Sequence, residues 1–414
     1  MKKLIRAAHI VDPNSPYHNT KKDILIENSI VTEVTENYTG DFDEEIKHDN
    51  LHICPGLLDM RSHFCDPGHE QHEDLSSGLA AAEAGGYTAV CVMPGTTPSI
   101  SSRGSVEYLI NRSLHSNVTV YPVGSATHNI EGKELSEMYD MKAAGAIAFS
   151  DDKKSITDAN LMSRALLYAK NVDTLIMAFP NDKSIAYKGQ INEGVASTNL
   201  GLAGLPALAE ELNVSRDLFL ANYNESSIHI GPISSGHSVA MIKEAKEENI
   251  KISCDVAAHQ LALLDEDCES FDSNYKVMPP LRTKEHQDAL IEGLKSGVID
   301  VITSDHTPWD VEEKEKEFDL AQFGIIGLQT SFALAITKLE QHIGLDGIVQ
   351  KMSINPRTIL KVDVPMIREG FEANFTLFNP TEKWTLESKD ILSKSKNTPF
   401  IGTEFTGKVL GIVR

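Results

Sequence analysis

Carboxylate and imidazole side chains stand at the ends of several strongly apolar runs, and they are the residues of this chain best suited to chemistry. They occur in Asp59-Met60-Arg61-Ser62-His63, in Phe149-Ser150-Asp151-Asp152 and in Asp305-His306. Oxygen and imidazole ligands suit zinc-like divalent ions, and such ions activate water for hydrolysis. Whether these residues can act together depends on the elements that carry them.

Residues 55–361 alternate between apolar, strand-like runs and helical segments. Eight strand candidates are present: LLDMRSHF, YTAVCVMP, VTVYPVG, GAIAFSDD, DTLIMAFP, SIHIGPIS, IKISCDV and DVITSD. Helical segments such as GSVEYLINRSL, ANLMSRALLYAK, HSVAMIKEAKEE and EHQDALIEGLKSG separate them. This pattern predicts an α/β fold, a (β/α)₈ barrel of the TIM type, whose reacting groups lie at the C-terminal ends of the strands.

The two ends of the chain have a different pattern. Residues 1–54 contain short strand candidates separated by turn signals. Residues 362–414 again contain strand-like sequences, ANFTLFNP and TGKVLGIVR. We expect the two ends to pair into one small β-sandwich. The predicted organisation is therefore an N-terminal segment of the sandwich in 1–54, the barrel in 55–361, and a C-terminal segment of the sandwich in 362–414.

The charge of the chain bears on its partners. A formal net charge of -22 and 41% hydrophobic residues describe an acidic globular protein. Such a charge repels phosphate backbones and anionic lipid, so we expect neither nucleic acid nor membrane surfaces as partners. The charged run 312–317 is expected to be a solvated loop or helix face.

The cysteines and the N-terminus indicate the compartment. The five cysteines are scattered, odd in number and without CxxC spacing, which disfavours a disulfide framework and a thiolate metal site. The first residues are basic, but Arg6, His9 and Asp12 interrupt any apolar stretch of signal-peptide length. We expect a cytoplasmic protein.

The order of several short motifs resembles the dihydroorotase family of the amidohydrolase superfamily. In that family two histidines separated by one residue precede Leu-Arg-Glu-Pro-Gly, and here Asp59–His63 precedes Phe64-Cys65-Asp66-Pro67-Gly68. The resemblance continues through Met93-Pro94, Phe149–Asp152, Pro279-Pro280-Leu281-Arg282, Asp305-His306, 324–328 and Lys396-Asn397-Thr398-Pro399-Phe400. It implies a metal-dependent barrel with an accompanying β-sandwich, a cyclic amidohydrolase by family.

The resemblance also implies a set of metal ligands, and half of them are replaced. The first histidine of the pair is Arg61, the histidine of strand 5 is Phe179, and that of strand 6 is Pro232. The second histidine, the bridging carboxylate and the strand 8 aspartate correspond to His63, to Asp151 or less favourably Asp152, and to Asp305, the family's general base. We expect these three to be vestigial and no metal to be bound. We also expect Arg61 to neutralise Asp151 and Asp305 in place of the metal.

The positions that would hold the substrate are changed as well. The family's arginine and asparagine that grip the substrate carboxylate correspond to Cys65 and Gly95, and two further polar positions are Met278 and Trp309. A charge-assisted clamp is therefore missing. Phe179, Met278 and Trp309 are most simply core residues, and His229 is interpreted as a core histidine.

The magnitudes favour an inactive protein. A metal lowers the pKa of bound water by about nine units, on the order of 12 kcal/mol. A general base such as Asp305 supplies roughly 3–5 kcal/mol. We therefore predict an inactive dihydroorotase homologue of pyrimidine biosynthesis, a homo-oligomer that acts as a structural or regulatory partner of aspartate transcarbamoylase, as some metal-less relatives do. The alternative is an active or weakly active dihydroorotase, or a related cyclic-amide hydrolase, that uses a single zinc-like ion.

Overall fold

The computed structural model describes all residues, Met1–Arg414. Its strands are β1 Lys2–Ile10, β2 Lys21–Glu27, β3 Ile30–Thr35, β4 Glu44–Ile46, β5 His52–Pro55, β6 Leu57–Ser62, β7 Tyr87–Val92, β8 Thr119–Ser125, β9 Ala148–Ser150, β10 Ile176–Ala178, β11 Ile191–Asn192, β12 Gly204–Leu205, β13 Ile228–Ile230, β14 Ile252–Ala257, β15 Val301–Thr303, β16 Phe375–Thr385 and β17 Glu404–Val413. Its helices are α1 Leu75–Ala84, α2 Arg103–Ser113, α3 Met138–Ala143, α4 Ala159–Asn171, α5 Lys183–Ala186, α6 Val195–Leu200, α7 Leu208–Tyr223, α8 Gly236–Glu247, α9 Lys284–Lys295, α10 Val311–Lys314, α11 Ser331–Val349 and α12 Asn355–Leu360.

Eight parallel strands form the barrel in the order β6, β7, β8, β9, β10, β13, β14, β15. A parallel bridge between Ser62 and His306 closes it, and the His63 backbone N–H donates to the His306 carbonyl at 2.9 Å. Each predicted strand run coincides with one of these strands to within one residue at its C-terminal end or contains it, so the predicted fold class is confirmed. The strands are buried on both faces, by helices outside the barrel and by packed side chains inside it, which is why they are almost continuously apolar.

Asp59 joins the first barrel strand to the residue after the last one. Its buried carboxylate accepts the backbone N–H and the hydroxyl of Ser304, both at 2.7 Å, and the hydroxyl of Ser62. Burial raises the pKa of Asp59 to about 6. Asp59 therefore fixes the closure of the barrel.

The β-rich domain is one seven-stranded sheet built from both ends of the chain. Its order is β17-β16-β5-β1-β2-β3, with β4 paired to β1. The C-terminal strand β16 pairs antiparallel with β5, with Phe375 opposite Pro55. The predicted pairing of the two ends is confirmed.

The helices predicted from sequence are present as α2, α4, α8 and α9. Helix α4 illustrates why: the Asp158 carboxylate accepts the Leu161 N–H at the N-terminus, and the apolar residues at helical spacing, Leu161, Met162, Ala165, Leu166 and Ala169, are buried. None of the helices combines the length and apolar character needed to cross a bilayer.

Candidate functional site: the barrel mouth

A cavity of about 730 Å³ lies at the C-terminal ends of the barrel strands. Its walls include His63, Asp152, Lys153 and Asp305, together with all four predicted substrate positions, Cys65, Gly95, Met278 and Trp309. These positions therefore surround one open space, and the charged side chains inside it are paired with one another.

His63 and Asp152 form an ion pair in this cavity. His63 Nε2 lies 2.7 Å from Asp152 Oδ1, and Nδ1 lies 3.0 Å from the His306 carbonyl oxygen. Burial would lower the pKa of His63, but the Asp152 carboxylate outweighs it and the pKa is raised. Burial would likewise raise the pKa of Asp152, and His63 holds it below its usual range instead. Because both ring nitrogens face acceptors, the stable state is an imidazolium paired with a carboxylate.

Of the two adjacent carboxylates considered for the bridging position, Asp152 lies at the mouth and the preferred one, Asp151, does not. Asp151 accepts the backbone N–H of Thr127 at 2.8 Å and the Thr127 hydroxyl. The preference for Asp151 is therefore corrected. Both residues follow the end of β9, and Asp152 has a positive φ of 56°, so the backbone direction at this one residue decides which carboxylate reaches the cavity.

Gly95 makes room for the Asp152 carboxylate. A Cβ at position 95 would lie 2.0 Å from Asp152 Oδ2, far inside van der Waals contact. The asparagine of the family pattern therefore cannot coexist with this placement of Asp152.

Lys153 holds Asp305, the expected general base. Its ammonium Nζ donates to Asp305 Oδ1 and, at 2.9 Å, to the Met278 carbonyl oxygen. The same ammonium stands 5.7 Å from the centroid of the Phe179 ring. Asp305 is 3% exposed, so this pair is poorly screened by water. The remaining carboxylate of the family's ligand set is thus already occupied by a cation of the protein.

Arg61 is buried, but its partner differs from the one we expected. The guanidinium Nε donates to Asp255 Oδ2 at 2.7 Å, and His229 Nε2 contacts the same oxygen at 2.8 Å. Burial would raise the pKa of Asp255, but Arg61 and His229 lower it. The prediction that Arg61 neutralises Asp151 and Asp305 is therefore wrong: its charge is balanced by Asp255 on β14, and Lys153 pairs with Asp305. His229 has no exposed surface and is a core histidine, as expected.

The residues present do not fit the metal centre that the fold family implies. Phe179 and Pro232 are buried and offer no side-chain lone pair. His63 is paired with Asp152, Asp305 with Lys153, and Asp151 with Thr127. No group of three or more His, Cys, Asp or Glu side chains is placed to hold a metal ion.

The changed substrate positions line the same cavity as apolar or neutral groups. Trp309 donates its indole N–H to the Phe323 carbonyl at 2.9 Å and packs edge-on against His72 at 4.8 Å between ring centroids. Burial raises the pKa of the Cys65 thiol to about 12, so the thiol stays protonated. No side chain at these positions supplies a positive charge for a substrate carboxylate.

The charged run after strand 8 is expected to be solvated, and one of its members is an exception. Asp310, Glu312 and Glu313 line the cavity, whereas Lys314 is buried and donates to the carbonyls of Gln322 at 3.0 Å and Gly324 at 3.1 Å. Burial lowers the pKa of Lys314 to about 7. The lysine fastens this rim segment to the loop that follows it.

Two charged residues of the site were missed by the sequence reasoning: Lys153 and Asp255. Lys153 directly follows the two aspartates, so a lysine next to a ligand position was an available signal. Asp255 is a lone carboxylate inside an apolar strand run, which requires a buried partner. His259 is buried with neither ring nitrogen hydrogen-bonded, and burial lowers its pKa to about 4.

Comparisons with known proteins agree on the family and on the fold. The Dihydro-orotase-like family model matches residues 51–238. The chain is 39% identical over 415 residues to the dihydroorotase of Syntrophus aciditrophicus (strain SB), covering 99% of this chain and 97% of that protein. It is 38% identical over 409 residues to the dihydroorotase of Acetivibrio thermocellus, covering 98% and 96%.

Solved structures show the same architecture at lower identity. L-hydantoinase (dihydropyrimidinase) from Arthrobacter aurescens superposes with a TM-score of 0.86 at 21% identity, covering 99% of this chain and 93% of that one. Dihydropyrimidinase from Brevibacillus agri NCHU1002 gives 0.85 at 20% identity, covering 100% and 94%. At these identities the likeness concerns the fold alone.

Proposed function

We propose that this chain, which belongs to the dihydroorotase family, has lost metal-dependent hydrolysis and serves in pyrimidine biosynthesis as a structural or regulatory partner of aspartate transcarbamoylase. The observation that carries the proposal is the pairing inside the mouth. His63 with Asp152, Lys153 with Asp305, and Arg61 with Asp255 use the protein's own cations where relatives of the family would hold metal ions.

This pairing removes the metal, which contributes most to the rate of the family's reaction. Metal-activated water accounts for on the order of 12 kcal/mol, and a general base for roughly 3–5 kcal/mol. Asp305 is in turn paired with Lys153 through Oδ1, so one of its two carboxylate oxygens is already engaged. The substrate carboxylate would meet Cys65 and Gly95 in place of an arginine and an asparagine.

The scaffold is maintained over the whole chain, which supports a role that depends on its surface. The alignment with a dihydroorotase covers 99% of the residues, while the replaced metal and substrate positions all belong to the barrel. Association with aspartate transcarbamoylase is the role that the family resemblance implies for members without metal.

Two experiments test the proposal, and the first concerns catalysis. The purified protein is assayed for interconversion of ureidosuccinate and dihydroorotate with added zinc or manganese, and its metal content is measured by elemental analysis. We expect no metal-dependent turnover and less than one equivalent of metal. Turnover that Asp305→Ala abolishes would refute the loss of catalysis.

Partnership is tested by co-purification with the aspartate transcarbamoylase encoded in the same genome. We expect a complex in sedimentation velocity and a change in the stability or activity of that enzyme. Two components that sediment separately, with unchanged activity, would refute the partnership.

A second candidate function is a weak cyclic-amide hydrolase that uses one zinc-like ion. It is favoured by the open cavity of about 730 Å³, in which His63, Asp152 and Asp305 all lie. In this candidate Asp152, and not Asp151, would supply a carboxylate ligand. To bind the ion, His63 and Asp152 would have to give up their contact with each other, and Asp305 would have to give up its contact with Lys153. The zinc-dependent assay distinguishes the two candidates.

A further inference from the structure

The cavity at the barrel mouth has more negative than positive side chains in its wall. Its carboxylates are Asp152, Asp305, Asp310, Glu312 and Glu313. Its cations are the Lys153 ammonium and the His63 imidazolium, and each is already paired with a carboxylate, Asp305 and Asp152 respectively. At the rim, His72 contacts Asp310 at 3.2 Å and Lys316, outside the cavity, contacts Glu313 at 2.9 Å, while Glu312 has no ion-pair partner. The cavity therefore has an excess of negative charge.

Two of these carboxylates keep one oxygen free. Asp305 uses Oδ1 for Lys153, and Asp152 uses Oδ1 for His63, so Oδ2 of each residue has no hydrogen-bond partner in the protein. Neither Oδ2 atom is sealed inside the protein, and both residues line the cavity. Asp305 is only 3% exposed, so its free oxygen faces the cavity and not the outer surface. Because an ionised carboxylate only accepts hydrogen bonds, these oxygens require a ligand with donor groups.

Apolar side chains form another part of the cavity wall. Trp309, Phe323 and Met278 line it, and the indole N–H of Trp309 is held by the Phe323 carbonyl. Aromatic rings attract organic cations and also pack against alkyl chains. The volume of about 730 Å³ lies within the range of sites for small molecules. The wall therefore fits an organic ligand with both a charged and an apolar part.

We propose that the mouth binds a small organic cation, an amine or guanidine on an apolar linker, whose N–H groups donate to the free oxygens of Asp152 and Asp305. The rim carboxylates attract such a ligand and repel dihydroorotate and ureidosuccinate, which are anions. The inference rests on the proposed function, because a metal ion bound in the mouth would take up the same carboxylate oxygens.

Calorimetric titration of the full chain with agmatine tests the charge preference. Agmatine carries a guanidinium and an ammonium on a butyl linker, and in 4-guanidinobutyrate a carboxylate replaces the ammonium end. We expect saturable binding of agmatine at low salt, about tenfold or more tighter than that of 4-guanidinobutyrate, and weaker binding as salt is added. Dihydroorotate should not bind. No saturable binding of agmatine, or equal affinity for the two guanidines, would overturn the proposal.

Variants of the carboxylates locate the binding. Glu312→Gln should weaken agmatine binding about threefold or more, and Asp305→Asn about tenfold or more, because each removes a negative charge from the cavity wall. Glu317→Gln is the matched control, since Glu317 belongs to the same charged run, is exposed and does not line the cavity. Its affinity should equal that of the wild type. Unchanged affinity in Glu312→Gln and Asp305→Asn, or an equal loss in Glu317→Gln, would contradict binding in the mouth.

Tryptophan fluorescence reports the place of binding independently. The chain has two tryptophans, Trp309 in the cavity wall and Trp384 on β16, where it stacks on Phe405. In Trp384→Phe, agmatine should shift the remaining emission with the affinity found by calorimetry. A Trp309 emission that is unshifted at saturation would place the cation elsewhere and overturn the proposal.

The zinc-dependent turnover assay separates this inference from the proposed function. A chain with neither turnover nor agmatine binding would overturn the inference and leave the proposed loss of catalysis in place. Zinc-dependent turnover would overturn the proposed function and this inference with it.

Discussion

Replacing Arg61 by methionine tests whether its ion pair with Asp255 stabilises the barrel. Arg61 is 2% exposed and Asp255 is fully buried, so the variant would leave a carboxylate in a poorly solvated environment. Breaking a buried pair from one side costs about 3–5 kcal/mol. His229 Nε2, 2.8 Å from the same carboxylate oxygen, and the Thr303 hydroxyl, 3.2 Å from the other, would compensate only partially.

The assay is the free energy of unfolding from urea titration at pH 7, for Arg61→Met, Asp255→Asn and the double variant. We expect each single variant to lose about 3–5 kcal/mol, and the double variant to lose clearly less than the sum, because neither charge is then left alone. A loss below about 1 kcal/mol in Arg61→Met, or strict additivity, would refute the assignment.

The same variant should respond to pH in a defined direction. In the wild type the pKa of Asp255 is lowered, so its stabilising contribution is present above the pKa of the unfolded chain and is lost as pH falls through the folded value. Without Arg61, burial raises the pKa of Asp255, and protonation at acid pH relieves the cost. The stability difference between wild type and Arg61→Met should therefore shrink below about pH 5.

Three further predictions concern other contacts of the mouth and its rim. Gly95→Ala should destabilise the fold by about 1–3 kcal/mol in thermal unfolding, because its Cβ would meet Asp152 Oδ2. Asp152→Ala in the same chain should remove most of that loss. Equal losses in both backgrounds would contradict the steric explanation. NMR titration should give His63 a pKa above its usual value in the wild type and below it in Asp152→Asn, where burial acts alone; an unchanged value would exclude the ion pair. Lys314 has a pKa of about 7 in the folded chain, so the unfolded chain binds more protons above that pH and stability should rise between about pH 7 and 10. Lys314→Met should flatten this rise in Tm. An unchanged slope would disprove the burial effect.

The barrel could be predicted from sequence because its strands are buried on both faces and read as continuous apolar runs. YTAVCVMP and IKISCDV were recognisable as strands without any knowledge of what they pack against. The pairing of the two ends was also predictable. Both ends contain strand-like sequence without helical periodicity, and such strands need a common sheet in which to pair. The helix α11 was not singled out, because its residues 331–336 are all buried and show no polar side.

The residues at the expected ligand positions, Arg61, Phe179 and Pro232, follow from the motif alone, but their contacts do not. The partners of the charged side chains do not follow from it either, because Lys153 and Asp305 are 152 residues apart and Arg61 and Asp255 are 194 apart. Which of Asp151 and Asp152 enters the mouth depends on backbone direction at one residue, which no spacing rule resolves.

The packing around Asp255 restricts substitution of the residues that contact it. A Cβ on Gly231 would lie 2.4 Å from Asp255 Oδ2, so the residue before Pro232 is confined to glycine for as long as that carboxylate keeps its position. A histidine at position 61 would leave the Asp255 carboxylate buried without its partner. Neutralising that carboxylate first would leave the Arg61 guanidinium buried without a partner. Each single substitution at Arg61 or Asp255 therefore gives a less stable protein, so these two residues can change without that loss only together.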